Sequence, residues 1–246
     1  MQKGRFYVIG HRGACAYMPE NTYPSFDKTI ELGSNGIETD VKVTRDGVLV
    51  LFHDNTMTRF HLPGEISDHT YAELMDMDFG GWFSPKFKGE HIVRFRDFLT
   101  RYGGRVHLSI EIKGRGFEDR LMAEVEESGI ATSDYMITSF YLDSLQKVKA
   151  RNREVPIGIL LDECSENNIQ LCLDNGFECI CPFAEVIDKA GVESAHAKGL
   201  LVRVWGVGNT DLMKVAYDTG ADGMTVNFPD KLIEYMNSKN KVKRDL

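Results

Sequence analysis

From residue 100 onward, short runs of β-branched and apolar residues alternate at a steady pace with longer stretches in which apolar residues recur every three or four positions. Runs of the first kind read as strands, and stretches of the second as amphipathic helices. The strands fall at 106–112, 135–139, 157–161, 178–181, 201–205 and 222–226, and the helices at 117–128, 141–151, 165–175, 185–198 and 209–219. Gly129, Gly176, Gly199 and Gly220 stand where helices stop, in the left-handed position that follows a helix. Upstream, a strand at 5–10, a helix at 22–32 stopped by Gly33 and a strand at 36–41 complete a set of eight strands. Alternation of this kind builds parallel sheets, and eight units close on themselves. The predicted fold is α/β, a (β/α)8 TIM barrel.

The rhythm breaks once. Residues 55–95 hold no barrel unit: Thr70-Tyr71-Ala72-Glu73 is a capping box that opens a short helix, and FGGWFSPKFKG reads as irregular loop. A stretch this long exceeds a plain strand-to-helix loop, so an insertion after the second barrel strand is expected, on the face where barrels keep their active sites. No linker rich in Pro, Gly or Ser divides the chain, and residues 1–246 are expected to form a single domain. The polar tail NSKNKVKRDL is expected to fray.

Composition narrows the setting. The chain is 42% hydrophobic, enough for a substantial core, but no window approaches the roughly 18 uninterrupted apolar residues of a membrane helix. The start MQKGRFYVIGHRG lacks an apolar stretch long enough for a secretory signal. A net charge of −8 argues against nucleic acid or an anionic membrane as the main partner, so an anionic small substrate needs a local positive site such as a metal. The five cysteines are odd in number and lack a disulfide spacing, which fits a reducing, cytoplasmic setting. Cys179-Ile180-Cys181 lies in a short apolar strand and reads as buried small side chains.

The chemistry concentrates at the ends of the early strands. VIGHRGACAYMPENT, residues 8–22, takes an apolar run straight into His11 and Arg12. On the next strand, alternation puts Glu38, Asp40 and Lys42 on one face, with Ile37, Thr39 and Val41 on the other. The same count on VHLSIEIKG joins Ser109, Glu111 and Lys113. Three carboxylates at one rim repel each other unless a cation joins them, and hard oxygen ligands of this kind suit Mg²⁺ or Ca²⁺. In TRDGVLVLFHD, Asp46-Gly47 signals a hairpin; if Val43 faces Val48, Glu38 pairs with His53. His11 then lies at the same rim, and the two histidines suit acid and base roles. Singly, each of these groups has an ordinary explanation, an inward glutamate paired with a lysine or a histidine in a turn. Jointly, three acids and two histidines at one barrel mouth point to a catalytic site. His61, His69, His91, His107 and His196 have no such partners and read as structural or solvated.

The ordered motifs HRG at 11–13, PENT at 19–22, ETDV at 38–41, TRDG at 44–47, HD at 53–54 and EIK at 111–113 resemble the glycerophosphodiester phosphodiesterase family. TSF at 138–140, VRVWGV at 202–207 and GADGMTVNFP at 220–229 extend the resemblance over nearly the whole chain. It implies a barrel phosphodiesterase in which Glu38, Asp40 and Glu111 are the metal ligands, His11 and His53 the acid–base pair, and Arg12 and Lys113 neighbours of the phosphate. Phe140 and Trp205 then wall the alcohol side of the pocket, the substrate being a small glycerophosphodiester. The chain departs from the family where Trp205-Gly206-Val207-Gly208 replaces Trp-Thr-Val-Asn, where Val226-Asn227 replaces Thr-Asp, and where HIVRFRDFL lacks Pro-Thr-Leu. The expected activity is hydrolysis to glycerol 3-phosphate and an alcohol. A lysophospholipase D with Trp82 and Phe83 against an acyl chain, and a non-catalytic barrel that binds phosphodiesters or a partner, are the alternatives.

Overall fold

A computed structural model describes residue 1 and residues 3–244, with side chains as far as residue 239. The described residues form a closed barrel. Its eight parallel strands are β1 (Tyr7–Gly10), β2 (Gly36–Val43), β4 (His107–Ile112), β5 (Tyr135–Ser139), β6 (Ile157–Leu160), β7 (Cys179–Cys181), β8 (Leu201–Val207) and β9 (Gly223–Val226). Each pairs with the next, and β1 closes the ring by pairing with both β9 and β2. A further strand, β3 (Leu49–Leu51), pairs antiparallel to β2 as a hairpin arm.

Helices wrap the outside: α1 (Tyr23–Glu31), then α2 (Tyr71–Met75) and α3 (Phe95–Tyr102), α4 (Glu118–Ser128), α5 (Leu142–Arg151), α6 (Glu166–Asp174), α7 (Lys189–Ala197), α8 (Thr210–Asp218) and α9 (Pro229–Arg244). The parity of the strands sorts the core. Ile37, Val41, Leu108, Ile110 and Ile112 are fully buried between sheet and helices, in the main apolar cluster. Met136, Leu160, Cys179, Cys181 and Leu201 form a separate cluster in the barrel interior, so both cysteines are buried, as their apolar strand implied, with their sulfurs 3.8 Å apart.

Between β3 and α3 the chain builds short helical turns and α2 around its own cluster of Val50, Phe52, Met57, Ile66, Leu74, Phe79 and Ile92. The capping box at the head of α2 is present: Thr70 Oγ1 accepts from the Glu73 N–H, and Glu73 accepts from the Thr70 N–H.

Three expectations change. Val43 pairs with Leu49 and not Val48, because Thr44 accepts the Val48 N–H on its side-chain oxygen and the loop takes one residue more. Helix α7 starts at Lys189 and not near 185, since Phe183 bridges to Trp205 and Ala184 bonds back to Trp205 before the helix can begin. The tail is helical to Arg244, and Tyr235 and Lys239 tie α9 to Asp218 on α8; the last two residues lie outside the described ones.

Candidate active site

The first strand ends in a strained turn. Arg12 takes a left-handed backbone at φ 51 and Gly13 follows at φ 84. A Cβ on Gly13 would stand inside contact distance of Ser25, so only glycine fits this close approach to α1. Three bonds hold the conformation. The Arg12 N–H donates to Glu38 Oε2 (2.9 Å), and its carbonyl accepts from the Asn21 N–H and from Ser25 Oγ. Asn21 is itself left-handed at φ 55, which asparagine tolerates. Its amide accepts from Thr39 Oγ1 and donates to Asp40 Oδ2 (3.0 Å), so the PENT stretch orients a carboxylate as well as starting α1. Thr22 caps that helix by position only; its hydroxyl turns back to the Pro19 carbonyl.

The three predicted acids come together. Oxygens of Glu38, Asp40 and Glu111 lie within 4.8 Å of one another, in residues with 3%, 1% and 8% exposure. Burial works to raise the pKa of Asp40, but the Arg12 guanidinium (3.4 Å) and the Lys113 ammonium (3.6 Å) overcome it and hold the carboxyl at about 2. Burial, and then the charge of Asp40, push Glu111 up to about 7 although Lys113 bonds it at 2.9 Å. Glu38 is pushed well above its ordinary value by burial and by both neighbouring carboxylates. A desolvated acid cluster that strains toward protonation is one that a divalent cation relieves. Glu38 Oε1 is buried without a hydrogen-bond partner among the described residues, a free ligand atom on the inner side of the cluster. All-oxygen donors fit a hard cation, so the cluster can bind a metal.

His11 extends the inward face of β1. Its Nδ1 lies 2.6 Å from Asn227 Oδ1, at the end of β9, and the Cys15 thiol donates to the same oxygen at 3.1 Å. Burial drives the Cys15 pKa up to about 12, so the sulfur keeps its proton and donates. An atom that accepts the Cys15 proton is the amide oxygen, which cannot itself donate to His11. His11 therefore carries its proton on Nδ1 and leaves Nε2 free to accept. Burial first, and Arg12 next, lower the His11 pKa to about 3, keeping the ring neutral.

His53 reaches the same mouth by a route different from the expected one. The observed register would turn its side chain to the wrong face, but β3 stops at Leu51 and the chain leaves the ladder before His53. Its Nδ1 faces Asp54 Oδ1 at 3.1 Å, and Arg59 holds both Asp54 (2.8 Å) and Glu20 (3.0 Å). Burial lowers the His53 pKa as well, against the raising effect of Asp40. Glu20, His53 and Asp54 also lie close enough to hold an ion, but Arg59 already supplies a cation to both acids.

A pocket of about 160 Å³ joins His11, Arg12, Glu38, His53, Glu111 and Lys113 to a wall of Phe140, Leu160 and Trp205. Phe140 and Trp205 meet edge to face with ring centres 5.0 Å apart, and Trp205 is fixed by donating from Nε1 to the Leu161 carbonyl. A wider pocket of about 380 Å³ opens beside it over His53, Asp54, Arg59, Lys113 and Phe140. Sequence reasoning did not assign roles to Asn21, Asp54, Arg59, Arg203 or Asn227. The signals available were motif membership, Asn21 in PENT, Asp54 in HD and Arg203 in VRVWGV, and Asn227 closing a strand in the place of an acid; Arg59 had none. Arg203, two residues before Trp205, is on the inward parity of β8 and lines the smaller pocket.

Barrels of this architecture carry their chemistry where this one gathers its carboxylates and imidazoles, at the C-terminal ends of the strands, and that defines the class: a TIM-barrel enzyme. Comparison gives the particular family. The glycerophosphoryl diester phosphodiesterase family matches residues 11–231, and the chain belongs to that family. It is 32% identical over 233 residues to the glycerophosphodiester phosphodiesterase of Caldanaerobacter subterraneus subsp. tengcongensis, covering 92% of this chain and 96% of that one. The fold is similar to the glycerophosphodiester phosphodiesterase of Agrobacterium tumefaciens (TM-score 0.82, 25% identity, 92% and 98% coverage). It is similar also to an Oleispira antarctica phosphodiesterase solved in complex with the product sn-glycerol-3-phosphate (TM-score 0.84, 24% identity, 93% and 96% coverage).

Proposed function

We propose that the protein hydrolyses glycerophosphodiesters to glycerol 3-phosphate and an alcohol, using residues 1–246 as a single catalytic domain with residues 55–95 as an insertion over the active-site face. The observation that carries this reading is the buried trio Glu38, Asp40 and Glu111 with a free Glu38 oxygen, flanked by two oriented imidazoles. Glu38, Asp40 and Glu111 would hold Mg²⁺ or Ca²⁺, and the ion would neutralise phosphoryl charge as a Lewis acid. Arg12, whose side chain already bridges Asp40 and Glu20, presents its fork to the phosphate together with the Lys113 ammonium.

The imidazoles divide the proton transfers. Asp54 faces the Nδ1 of His53 and stabilises its imidazolium, the form that protonates a leaving oxygen, whereas His11 is neutral with Nε2 unprotonated, the form that accepts the nucleophile's proton. Phe140 and Trp205 wall the alcohol side. A glycerol 3-phosphate assay on a panel of glycerophosphodiesters, with single metals restored after chelation, tests the scheme. Turnover should require the ion and fall at least about 10²-fold in His11→Ala and His53→Ala. Full activity in excess chelator ends the scheme.

One observation favours a second substrate class. Trp82 and Phe140 are 40% and 44% exposed, and Trp82 lines a cleft with His53 and Arg59 that joins the mouth. The cleft itself holds only about 10 Å³, so an acyl chain in a lysophospholipase D reaction would lie over this exposed apolar rim and not inside it. Faster turnover of lysophosphatidylcholine than of glycerophosphocholine would select that reading.

A further inference from the structure

The scheme above leaves one buried charge unused. Arg203 is 2% exposed, inside the barrel below the acid cluster. Its Nη1 donates to Thr225 Oγ1, its Nε has no hydrogen-bond partner among the described residues, and it is hydrogen-bonded to Cys181, whose thiol is held down to about 6 against burial by Cys179 and by the guanidinium. It makes no salt bridge among those residues, yet Glu38 and Glu111 both feel its charge and share its pocket. A guanidinium taken out of water without a carboxylate against it is an expensive placement. Packing alone does not account for it, since Met136, Leu160 and Leu201 fill the same interior with apolar side chains.

Counting charges suggests the use, on the phosphodiesterase reading proposed above. A divalent ion, the three carboxylates, Arg12 and Lys113 sum to a single net positive charge, and Glu20, Asp54 and Arg59 beside them bring the mouth to zero, one short of the monoanion of a phosphodiester. Once the nucleophile has lost its proton, the reacting group carries two negative charges, and the monoester product carries nearly two. Arg203 adds one positive charge from inside the barrel, and its field favours the more negative group. We infer that Arg203 is a positioning residue that acts through the field: it favours the dianionic reacting group and product over the monoanionic substrate, and it loosens the hold of the acids on their cation.

The two effects have opposite signs, which separates them from structural damage. Titration calorimetry with Mg²⁺ and Ca²⁺, then with glycerol 3-phosphate on the ion-loaded protein, should show Arg203→Met binding the ion about tenfold more tightly and glycerol 3-phosphate about tenfold more weakly. On glycerophosphocholine, kcat should fall about tenfold with KM changed less than about threefold, and Arg203→Lys should restore all of these values. Equal weakening of both ligands in Arg203→Met overturns the inference, because that is what a role in packing alone produces. So does an unchanged affinity for both, the result if a Cys181 thiolate already cancels the guanidinium. Cys181→Ala tests that pairing even where Arg203→Met does not fold: unchanged ion affinity supports the inference, and weakened ion affinity overturns it. Failure of the unaltered protein to bind either ion overturns instead the reading on which this rests.

Discussion

Asn227 Oδ1 takes a proton donor from Cys15 and another from His11, and so decides which nitrogen of a catalytic imidazole is free. Asn227→Leu keeps approximate size but removes the acceptor, leaving two part-buried donors unpaired at a cost of about 1–3 kcal/mol. The expected outcome is a lowered melting temperature together with a kcat loss of at least about tenfold, whereas Cys15→Ala should leave kcat within about threefold. Asp54→Asn removes the charge that stabilises the His53 imidazolium, and kcat should fall about 10²-fold with KM little changed. At this scale the acids were legible in the sequence because a strand alternates its faces: Glu38 and Asp40 are two residues apart on β2, and Glu111 of β4 pairs directly with Asp40. Asn227 was not: 216 residues separate it from His11, and only closure of β1 against β9 brings them together.

The strand-to-helix junctions show how far local pattern reaches. Hairpin chemistry at Asp46-Gly47 announced the β2–β3 turn, but its register came out one residue away from the expectation because a Thr44 side chain entered the loop's hydrogen bonding. His53 survives the slip because the strand has already ended. The departure at Trp205-Gly206 also has a local cause. Gly206 sits at φ 74 beside an irregularity between Val204 and Val207, and a Cβ there would meet the Phe183 ring within 2.4 Å. Gly206→Thr, although it restores the residue usual in the family, should destabilise the protein by about 1–3 kcal/mol. Thermal unfolding checks this, and an unchanged melting temperature would count against the strained geometry.

Over the whole molecule, the acid cluster makes stability, pH and metal one problem. In the metal-free protein Glu111 titrates at about 7 against an ordinary value of 4.5. As pH rises from about 4.5 to 7, the folded state keeps a proton that the unfolded chain has released, so stability falls across that window. Asp40, held at about 2 against an ordinary 3.8, acts at the other end: its contribution is present above pH 3.8 and is lost as pH falls through 2. A bound divalent ion displaces the Glu111 proton. Its stabilising effect should therefore grow as pH rises from about 5 through 7, and Glu38, whose raised proton the ion also displaces, carries the rise further, read as the difference in melting temperature with and without Mg²⁺. A stabilisation independent of pH would separate Glu111 from the ion.

The sequence by itself determined the strand and helix rhythm, the eight-fold closure and the inward acids, because these follow from periodicity and from pairings between successive elements. Tertiary structure alone decided the tautomer of His11, the Asp54–Arg59–Glu20 chain behind His53, and the buried guanidinium of Arg203. Each of these depends on residues from distant strands meeting inside a closed ring. A one-dimensional pattern records which face a side chain takes, but not which partner the barrel sets opposite it.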